Sequence, residues 1–182
     1  MKNINKIVIT LLIISFSFLI TACSTKAKVY KPNIINNEKI KQFSKKIDIV
    51  LSKNSINDSS ASTRLSSVEM PSEESVSVYI KNAFITELKY ARAYSSKDAG
   101  ITLNLELKDI ELHTRFGRAS WDFKIQVSSS NGKIIELEYI HKFESLHASE
   151  FDTYDAANAF KPAVQNLIQE IIYNKEFVDL LN

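Results

Sequence analysis

The sequence has few of the residues on which several common kinds of protein depend. It contains one cysteine, three glycines and three prolines among 182 residues. A single cysteine excludes an internal disulfide framework and a cysteine-rich metal site. The scarcity of glycine and proline disfavours collagen-like, low-complexity and loop-dominated folds. Neither sign of charge dominates, because 23 basic residues stand against 21 acidic ones, and this balance disfavours a nucleic acid or an acidic substrate as the partner.

A long apolar run is present, but it is confined to the start of the chain, at residues 7–20. Lys2 and Lys6 precede it, with no acidic residue nearby. A helix of this length spans about 21 Å, against roughly 30 Å for the bilayer core, so the run indicates an export signal. We therefore predict a signal peptide at residues 1–22. Its removal takes away two lysines and leaves equal numbers of basic and acidic residues.

The apolar run ends in Leu19-Ile20-Thr21-Ala22-Cys23, which resembles the lipobox of bacterial lipoproteins. This resemblance implies cleavage between Ala22 and Cys23, followed by a diacylglycerol thioether and an N-acyl chain such as palmitate on Cys23. Several acyl chains, at about 0.8 kcal/mol per buried methylene, hold a protein durably on a membrane. The alternatives are an ordinary signal peptide with a coincidental cysteine and a buried apolar helix.

The residue after the cysteine bears on the membrane of destination. Lipoproteins that enteric bacteria retain at the inner membrane carry aspartate there, whereas this chain has Ser24. The lipobox resemblance therefore implies an outer-membrane protein that faces the periplasm, with the inner membrane as the less favoured location.

The rest of the chain divides into an arm and one domain. Residues 23–46 are polar and lysine-rich and lack a sustained apolar period, which predicts a lipidated flexible tether. Residues 47–182 are long enough to bury a core without disulfides. Within them, residues 52–67 are rich in serine and asparagine and predict a long surface loop, either functional or disordered.

Apolar periodicity in residues 47–182 predicts an α+β fold. A strand at residues 47–51 precedes a helix that begins near Pro71 with Ser72 as its N-cap. Alternating strands follow between residues 101 and 143, and then a helical stretch in which Pro162 either kinks one helix or begins a second. The expected architecture is a two-layer sandwich of order β-α-β-β-β-α, with two helices on one face of a mainly antiparallel sheet.

The same alternation predicts two local details of the sheet. The apolar phase slips near Lys108 and Asp109, which indicates a β-bulge. Before the last strand, a three-residue loop at residues 130–132 places Val127 opposite Ile135. A two-residue loop would place Val127 opposite Glu136 and put an acid on the apolar face, so the pattern favours the longer loop.

The histidines give no sign of a metal or catalytic site. Those present are His113, His141 and His147, whose spacing matches no metal motif. A packed or exposed histidine is the favoured interpretation of each. No glycine-rich phosphate loop and no serine nucleophile elbow occurs in the sequence.

Acidic side chains are expected on the polar face of the sheet. Glu136 and Glu138 could form a pair of carboxylates, and Asp122 lies on the neighbouring strand, but strands commonly direct acids toward solvent, so solvation is the favoured reading. The sequence thus predicts no catalytic residue, no cofactor and no metal, and the protein is expected not to be an enzyme.

The lipobox together with the strand, helix and sheet order resembles the small YajG-type lipoproteins of Gram-negative bacteria. The last helices carry the apolar positions of that pattern, from Leu167 to Leu181. In such proteins an Asp-x-Arg element tends to follow the first strand, whereas Ser52-Lys53-Asn54 stands there in this chain. The lipopolysaccharide-assembly lipoproteins share a similar two-helix sandwich, but the arginine-containing segment expected after their cysteine is missing. The YajG-type resemblance implies a periplasm-facing lipoprotein without an established activity.

Two functions remain open at this point. The favoured hypothesis is a non-enzymatic accessory or binding subunit of a cell-envelope assembly, anchored in the membrane through Cys23 and bound to a protein partner. The alternative is a lipoprotein that binds a small ligand or glycan, such as a peptidoglycan fragment or lipid, through residues 52–67 and the polar sheet face. Neither hypothesis involves nucleic acid.

Overall fold

The computed structural model describes residues 25–56, 60–62, 67–115, 117–145 and 153–182. The lipobox residues Ala22 and Cys23, and also His147, lie outside these described residues. In chain order the elements are β1 (Thr25–Lys26), α1 (Ile34–Ile40), β2 (Ile47–Leu51), β3 (Ser60–Ser62), β4 (Ser67–Glu69), a 3-10 turn (Pro71–Glu73), α2 (Val76–Tyr90), β5 (Ile101–Arg115), β6 (Arg118–Ser129), β7 (Ile134–Phe143), α3 (Thr153–Tyr173) and α4 (Phe177–Leu181).

The main sheet has four strands in the order β2-β5-β6-β7. Hairpins connect β5, β6 and β7, which are antiparallel, whereas β2 runs parallel to β5 because α2 crosses over between them. A small second sheet has the order β1-β4-β3. The predicted α+β sandwich is confirmed, with the order β-α-β-β-β-α formed by β2, α2, β5, β6, β7 and α3. Among the described helices, none has the length and apolarity needed to cross a bilayer.

Both predicted details of the sheet register are confirmed. The pairing of β5 with β6 shifts between Leu107 and Asp109, which is the expected bulge. Val127 lies opposite Ile135 across the β6–β7 hairpin. Gly132 has a φ of 86° in the intervening loop, a left-handed conformation that glycine adopts without steric cost.

The core lies between the sheet and the two long helices. α2 packs against β2 and β5, and α3 packs against β6 and β7. Trp121 and Phe160 are fully buried with ring centroids 5.0 Å apart, and the indole N–H of Trp121 donates to the carbonyl of Ala156 at 3.0 Å. Of the two alternatives for Pro162, the second is wrong, because α3 continues through Pro162 as one helix.

The prediction of a flexible tether is wrong for residues 25–46. β1 pairs in parallel with β4, and the hydroxyl of Thr25 lies 2.9 Å from that of Thr153 at the start of α3. Farther along, α1 buries Ile40 and Asn36 against the domain. The segment shows no long apolar period because its contacts are made by few side chains and by backbone groups.

The predicted start of α2 is also wrong. Ser72 lies in the separate 3-10 turn with a φ of 58°, which interrupts the helical conformation. The helix begins at Val76, and its N-cap is Ser75, whose hydroxyl accepts a hydrogen bond from the amide of Val78 at 3.2 Å.

The prediction of a long loop over residues 52–67 is wrong where the structure describes that segment. Ser60–Ser62 forms β3, which pairs antiparallel with β4. Ser55 is buried, and its hydroxyl donates to the carbonyl of Leu105 at 3.3 Å. Serine-rich composition hid this strand because its stability comes from backbone pairing with a segment that follows it.

Candidate functional site on the outer face of the sheet

The face of β5, β6 and β7 that points away from the helices, here called the outer face, carries mainly polar side chains. The bulge in β5 decides which residues of that strand share this face with those of β6. Beyond it, Glu111 lies directly opposite Asp122, and His113 lies opposite Ser120. On the other side of β6, Ile140 and Lys142 are the neighbours of Asp122 and Ser120 on β7.

Four of these side chains form what we call the outer-face cluster: Glu111, His113, Ser120 and Asp122. The hydroxyl of Ser120 donates to Oδ1 of Asp122 at 2.7 Å. His113 Nε2 lies 2.9 Å from Oε2 of Glu111 and 3.5 Å from Oδ2 of Asp122. Asp122 is the most enclosed of the charged members, with a side chain 30% exposed, compared with 53% for His113. Two carboxylates directly opposite each other repel, and the His113 ring contacts both of them.

A groove of about 720 Å³ opens beside the cluster on the outer face. Its walls combine cationic, anionic and apolar side chains from the ends of the three strands. The lining residues are His113, Arg118, Ala119, Ser120, Asp122, Ile140, Lys142, Phe143 and Glu144. A smaller cavity of about 220 Å³ adjoins it, and Asp122 and Ile140 belong to the walls of both. The groove thus offers hydrogen-bond donors, acceptors and an apolar patch to a bound molecule.

The contacts in the cluster suit recognition better than nucleophilic chemistry. A serine nucleophile needs a neighbouring base such as histidine to take its proton, whereas the hydroxyl of Ser120 is bound to the carboxylate of Asp122. His113 contacts the other oxygen of the same carboxylate. No group of three or more histidine, cysteine, aspartate or glutamate side chains suited to a metal ion occurs in the part of the chain that the structure describes.

The other predicted residues are distributed over both faces of the sheet. His141 lies on the inner face, half-buried, with Nδ1 3.3 Å from the side-chain amide of Asn166. Burial lowers the pKa of His141. The sheet therefore lies between His113 and His141, and the two side chains do not contact each other. Glu136 and Glu138 are exposed on the outer face, where Nζ of Lys124 lies 3.6 Å from Oε1 of Glu138.

The structure places the start of the segment at residues 52–67, one part of the predicted small-ligand site, away from the groove. Ser52 donates its amide to the carbonyl of Leu105 at 2.8 Å, so the loop after β2 lies near the start of β5. The groove lies near His113, at the far end of β5. The eight residue steps from Leu105 to His113 span roughly 26 Å of strand. Residues 52–56 are thus distant from the groove, whereas Ser60–Ser62 contacts β5 as a separate strand.

A second polar cluster, which sequence reasoning missed, lies buried between α1, α2 and α3. We call it the Glu87 cluster, and it comprises Glu87, Tyr30, Asn33 and Asn36. Glu87 is fully buried, and its Oε1 accepts from the Tyr30 hydroxyl at 2.5 Å, the Asn33 amide at 2.9 Å and the Asn36 side chain at 3.1 Å. Burial raises the pKa of the Glu87 carboxyl, and these three donors oppose the rise. Oε2 of Glu87 has no hydrogen-bond partner within the described residues.

The sequence contained a signal for each cluster. Glu87 lies three residues after Phe84 and four after Ala83, so it occupies the apolar stripe of its helix, where a charged residue is unusual. Prediction of the outer-face cluster requires the β5–β6 register, which follows from the bulge and the tight turn at Gly117. The sequence places Asp122 and His113 on neighbouring strands, but only that register brings them together.

Comparisons with known proteins bear on the fold alone. No protein-family model matches the chain, and no curated protein matches its sequence. Among solved structures, the chain is similar to protein XCC0632 from Xanthomonas campestris, which is assigned to the family DUF330. The TM-score is 0.56 at 10% sequence identity, and the alignment covers 84% of this chain and 94% of that one. The same two-layer α+β architecture therefore occurs in a protein with very different sequence.

Proposed function

We propose that the protein is a lipid-anchored binding subunit of a cell-envelope assembly and that the outer-face groove receives its protein partner. The observation that carries the proposal is the groove itself, whose walls offer both signs of charge beside exposed Ile140. Such a mixture of polar groups around an apolar patch is typical of surfaces that bind other proteins. The lipobox resemblance at Cys23 supports the anchor, and it implies an outer-membrane location facing the periplasm.

The packed N-terminal segment changes what such an anchor does. Only Ser24 separates Cys23 from β1, and two residues of chain reach about 7 Å. An acylated Cys23 therefore holds the domain against the membrane without a spacer. Thr25 contacts Thr153 at the start of α3, where Ala156 binds Trp121 beside Ser120. The groove thus lies at the end of the sheet nearer the anchored segment, on the opposite face, and this position favours a partner that is itself in or on the membrane.

A matched pair of substitutions on one strand tests the groove. Ser120→Tyr fills it, whereas Ser128→Tyr places the same side chain on the same face of β6 outside it. In detergent-solubilised envelopes, we expect a defined protein to co-purify with the wild type and with Ser128→Tyr, and to be lost with Ser120→Tyr. Equal recovery with both variants would contradict a role of the groove.

The anchor has its own test. Cys23→Ser should yield an unprocessed precursor without acyl chains, whereas Ser24→Ala should be processed normally. Metabolic labelling with palmitate measures the difference, and labelling of Cys23→Ser at the wild-type level would disprove the lipobox interpretation.

A small ligand such as a glycan is the second candidate, because the groove volume lies in the range of small-molecule sites, roughly 300–1,000 Å³. Thermal-shift measurements with peptidoglycan fragments and lipids distinguish the two functions. Stabilisation that Ser120→Tyr abolishes and Ser128→Tyr retains would favour the small ligand over a protein partner.

A further inference from the structure

β7 is an open edge of the main sheet. It is ten residues long, and within the described residues no strand pairs with the side of it that faces away from β6. Strands of five or six residues are usual, and natural edge strands are commonly protected by proline, a bulge or dense lysine. β7 contains no proline, keeps one unbroken register with β6 and carries one lysine, Lys142.

The hairpin geometry shows which backbone groups lie on this edge. Ser129 donates its amide to the carbonyl of Lys133 at 2.9 Å, which makes these two residues a hydrogen-bonded pair. Hydrogen-bonded pairs alternate along an antiparallel ladder, so the odd-numbered residues of β7 bond to β6. The amides and carbonyls of the even-numbered residues therefore point outward, and these residues are Ile134, Glu136, Glu138, Ile140 and Lys142.

We infer that β7 pairs antiparallel with β7 of a second copy of this chain, so that two four-stranded sheets become one of eight strands. The pairing is symmetric, with Tyr139 beside its own counterpart on the two-fold axis. Glu136 of each copy lies opposite Lys142 of the other, on the shared outer face. A closed dimer of this kind provides hydrogen-bond partners for the outward-pointing backbone groups of β7 in both copies.

The register follows from side-chain direction and charge. The two faces of the sheet continue across the dimer only if odd-numbered residues lie opposite odd-numbered ones. Two such symmetric registers pair nine residues of each strand. One is centred on Glu138 and places this acid against its own copy. The other is centred on Tyr139 and gives two Glu136–Lys142 pairs, which makes it the favoured register.

The two charged side chains that the dimer brings together lack ion-pair partners among the described residues of the monomer. Both Glu136 and Lys142 are exposed, and neither forms an ion pair in the part of the chain that the structure describes. Glu138, by contrast, already lies near Lys124. On the inner face, Leu137 and Tyr139 are only partly buried at the open edge, and pairing covers them. Charge complementarity and the partial burial of the inner-face side chains therefore both indicate that a second copy of this chain occupies the open edge of β7.

Charge reversal tests both the dimer and its register. Two differently tagged copies of the full, acylated chain are co-expressed, and co-capture in detergent is measured. We expect wild-type copies to be co-captured, and Glu136→Lys alone or Lys142→Glu alone to raise the dimer Kd about tenfold by placing like charges opposite each other. A pair of Glu136→Lys with Lys142→Glu restores two complementary contacts and should recover wild-type co-capture. Lys124→Glu, which lies on β6 away from the edge, is the control and should have no effect.

A backbone variant tests the edge independently of charge. The amide of Glu138 points outward, so Glu138→Pro removes no bond to β6 but blocks pairing with a second copy. We expect a folded monomer with a cooperative thermal transition. Absence of wild-type co-capture would overturn the inference, as would co-capture that survives Glu138→Pro or both single reversals. Failure of the mixed pair would overturn the register, as would stronger co-capture of a Glu138→Lys copy with a wild-type copy, which the register centred on Glu138 predicts.

Discussion

The Glu87 cluster and the outer-face cluster each contain a carboxylate held by several polar side chains, but they differ in burial and in the origin of their partners. Glu87 is fully buried, and all three of its donors come from the N-terminal segment. Glu111, His113 and Asp122 are at least partly exposed and lie on neighbouring strands of one sheet. Inside the protein, a carboxylate fixes one arrangement of the side chains around it, because any other arrangement leaves buried polar groups without hydrogen-bond partners. On the surface, water can replace each contact, so such side chains remain able to bind another molecule.

Removal of the buried acceptor should have the largest effect. We expect Glu87→Ala to lower the free energy of unfolding by about 3 kcal/mol, because three donors lose one buried acceptor together. Urea denaturation at neutral pH measures this loss. Glu111→Ala, on the outer face, is the matched control and should change stability by less than about 0.5 kcal/mol. Equal decreases in the free energy of unfolding of the two variants would contradict the contrast between the clusters.

Loss of one donor should cost less than loss of the acceptor. Tyr30→Phe removes the 2.5 Å hydrogen bond to Glu87 and leaves the bonds from Asn33 and Asn36. We expect the free energy of unfolding to fall by about 1.5 kcal/mol, which is in the range of hydrogen bonds to charged groups. Tyr90→Phe is the control, because Tyr90 is 57% exposed. Denaturation curves of both variants give the comparison, and an effect of Tyr90→Phe as large as that of Tyr30→Phe would contradict it.

The buried cluster explains why the N-terminal segment was mispredicted while the sheet was predicted well. Alternation along residues 101–143 shows directly which side chains are buried, and the bulge and the Val127–Ile135 pairing follow from it. α1 has only seven residues, and it is held partly by Asn36, which donates to Glu87 and to the carbonyl of Gln165. Those partners lie more than fifty residues away, and no local pattern identifies them.

The candidate site was predictable only in part, for a related reason. Asp122, Glu136 and Glu138 were expected on the polar face, and they lie there. A groove, however, depends on how three strands end relative to one another. Its walls join Arg118 at the start of β6 to Glu144 just after β7. Sequence periodicity gives the face of each strand, whereas the shape of a strand end depends on turns and on tertiary packing.

The pH dependence of stability should reveal the buried carboxyl. Because the folded-state pKa of Glu87 is raised above its usual value of 4.5, the folded protein binds a proton more strongly than the unfolded chain. Stability from this group is fully present below pH 4.5 and is lost as the pH rises through the folded pKa. Glu87→Gln does not titrate, so the stability of the wild type relative to this variant should decrease from pH 4.5 upward. Chemical denaturation of the wild type and of Glu87→Gln across this range measures the difference. A difference that grows with pH would contradict the raised pKa.

The smallest effect is expected where two carboxylates lie opposite each other on the outer face. Glu111 is paired in register with Asp122, and like charges at such positions repel. Glu111→Gln should therefore change the free energy of unfolding by no more than about 0.5 kcal/mol, and in the stabilising direction. In 1 M salt the Debye length is about 3 Å, so the repulsion between the exposed carboxylates is screened. The stabilisation by Glu111→Gln should therefore disappear in 1 M salt. Thermal or urea denaturation at low and high salt checks both statements. A large, salt-independent loss would mean that Glu111 is as much a structural residue as Glu87, and it would argue against an outer face left open for binding.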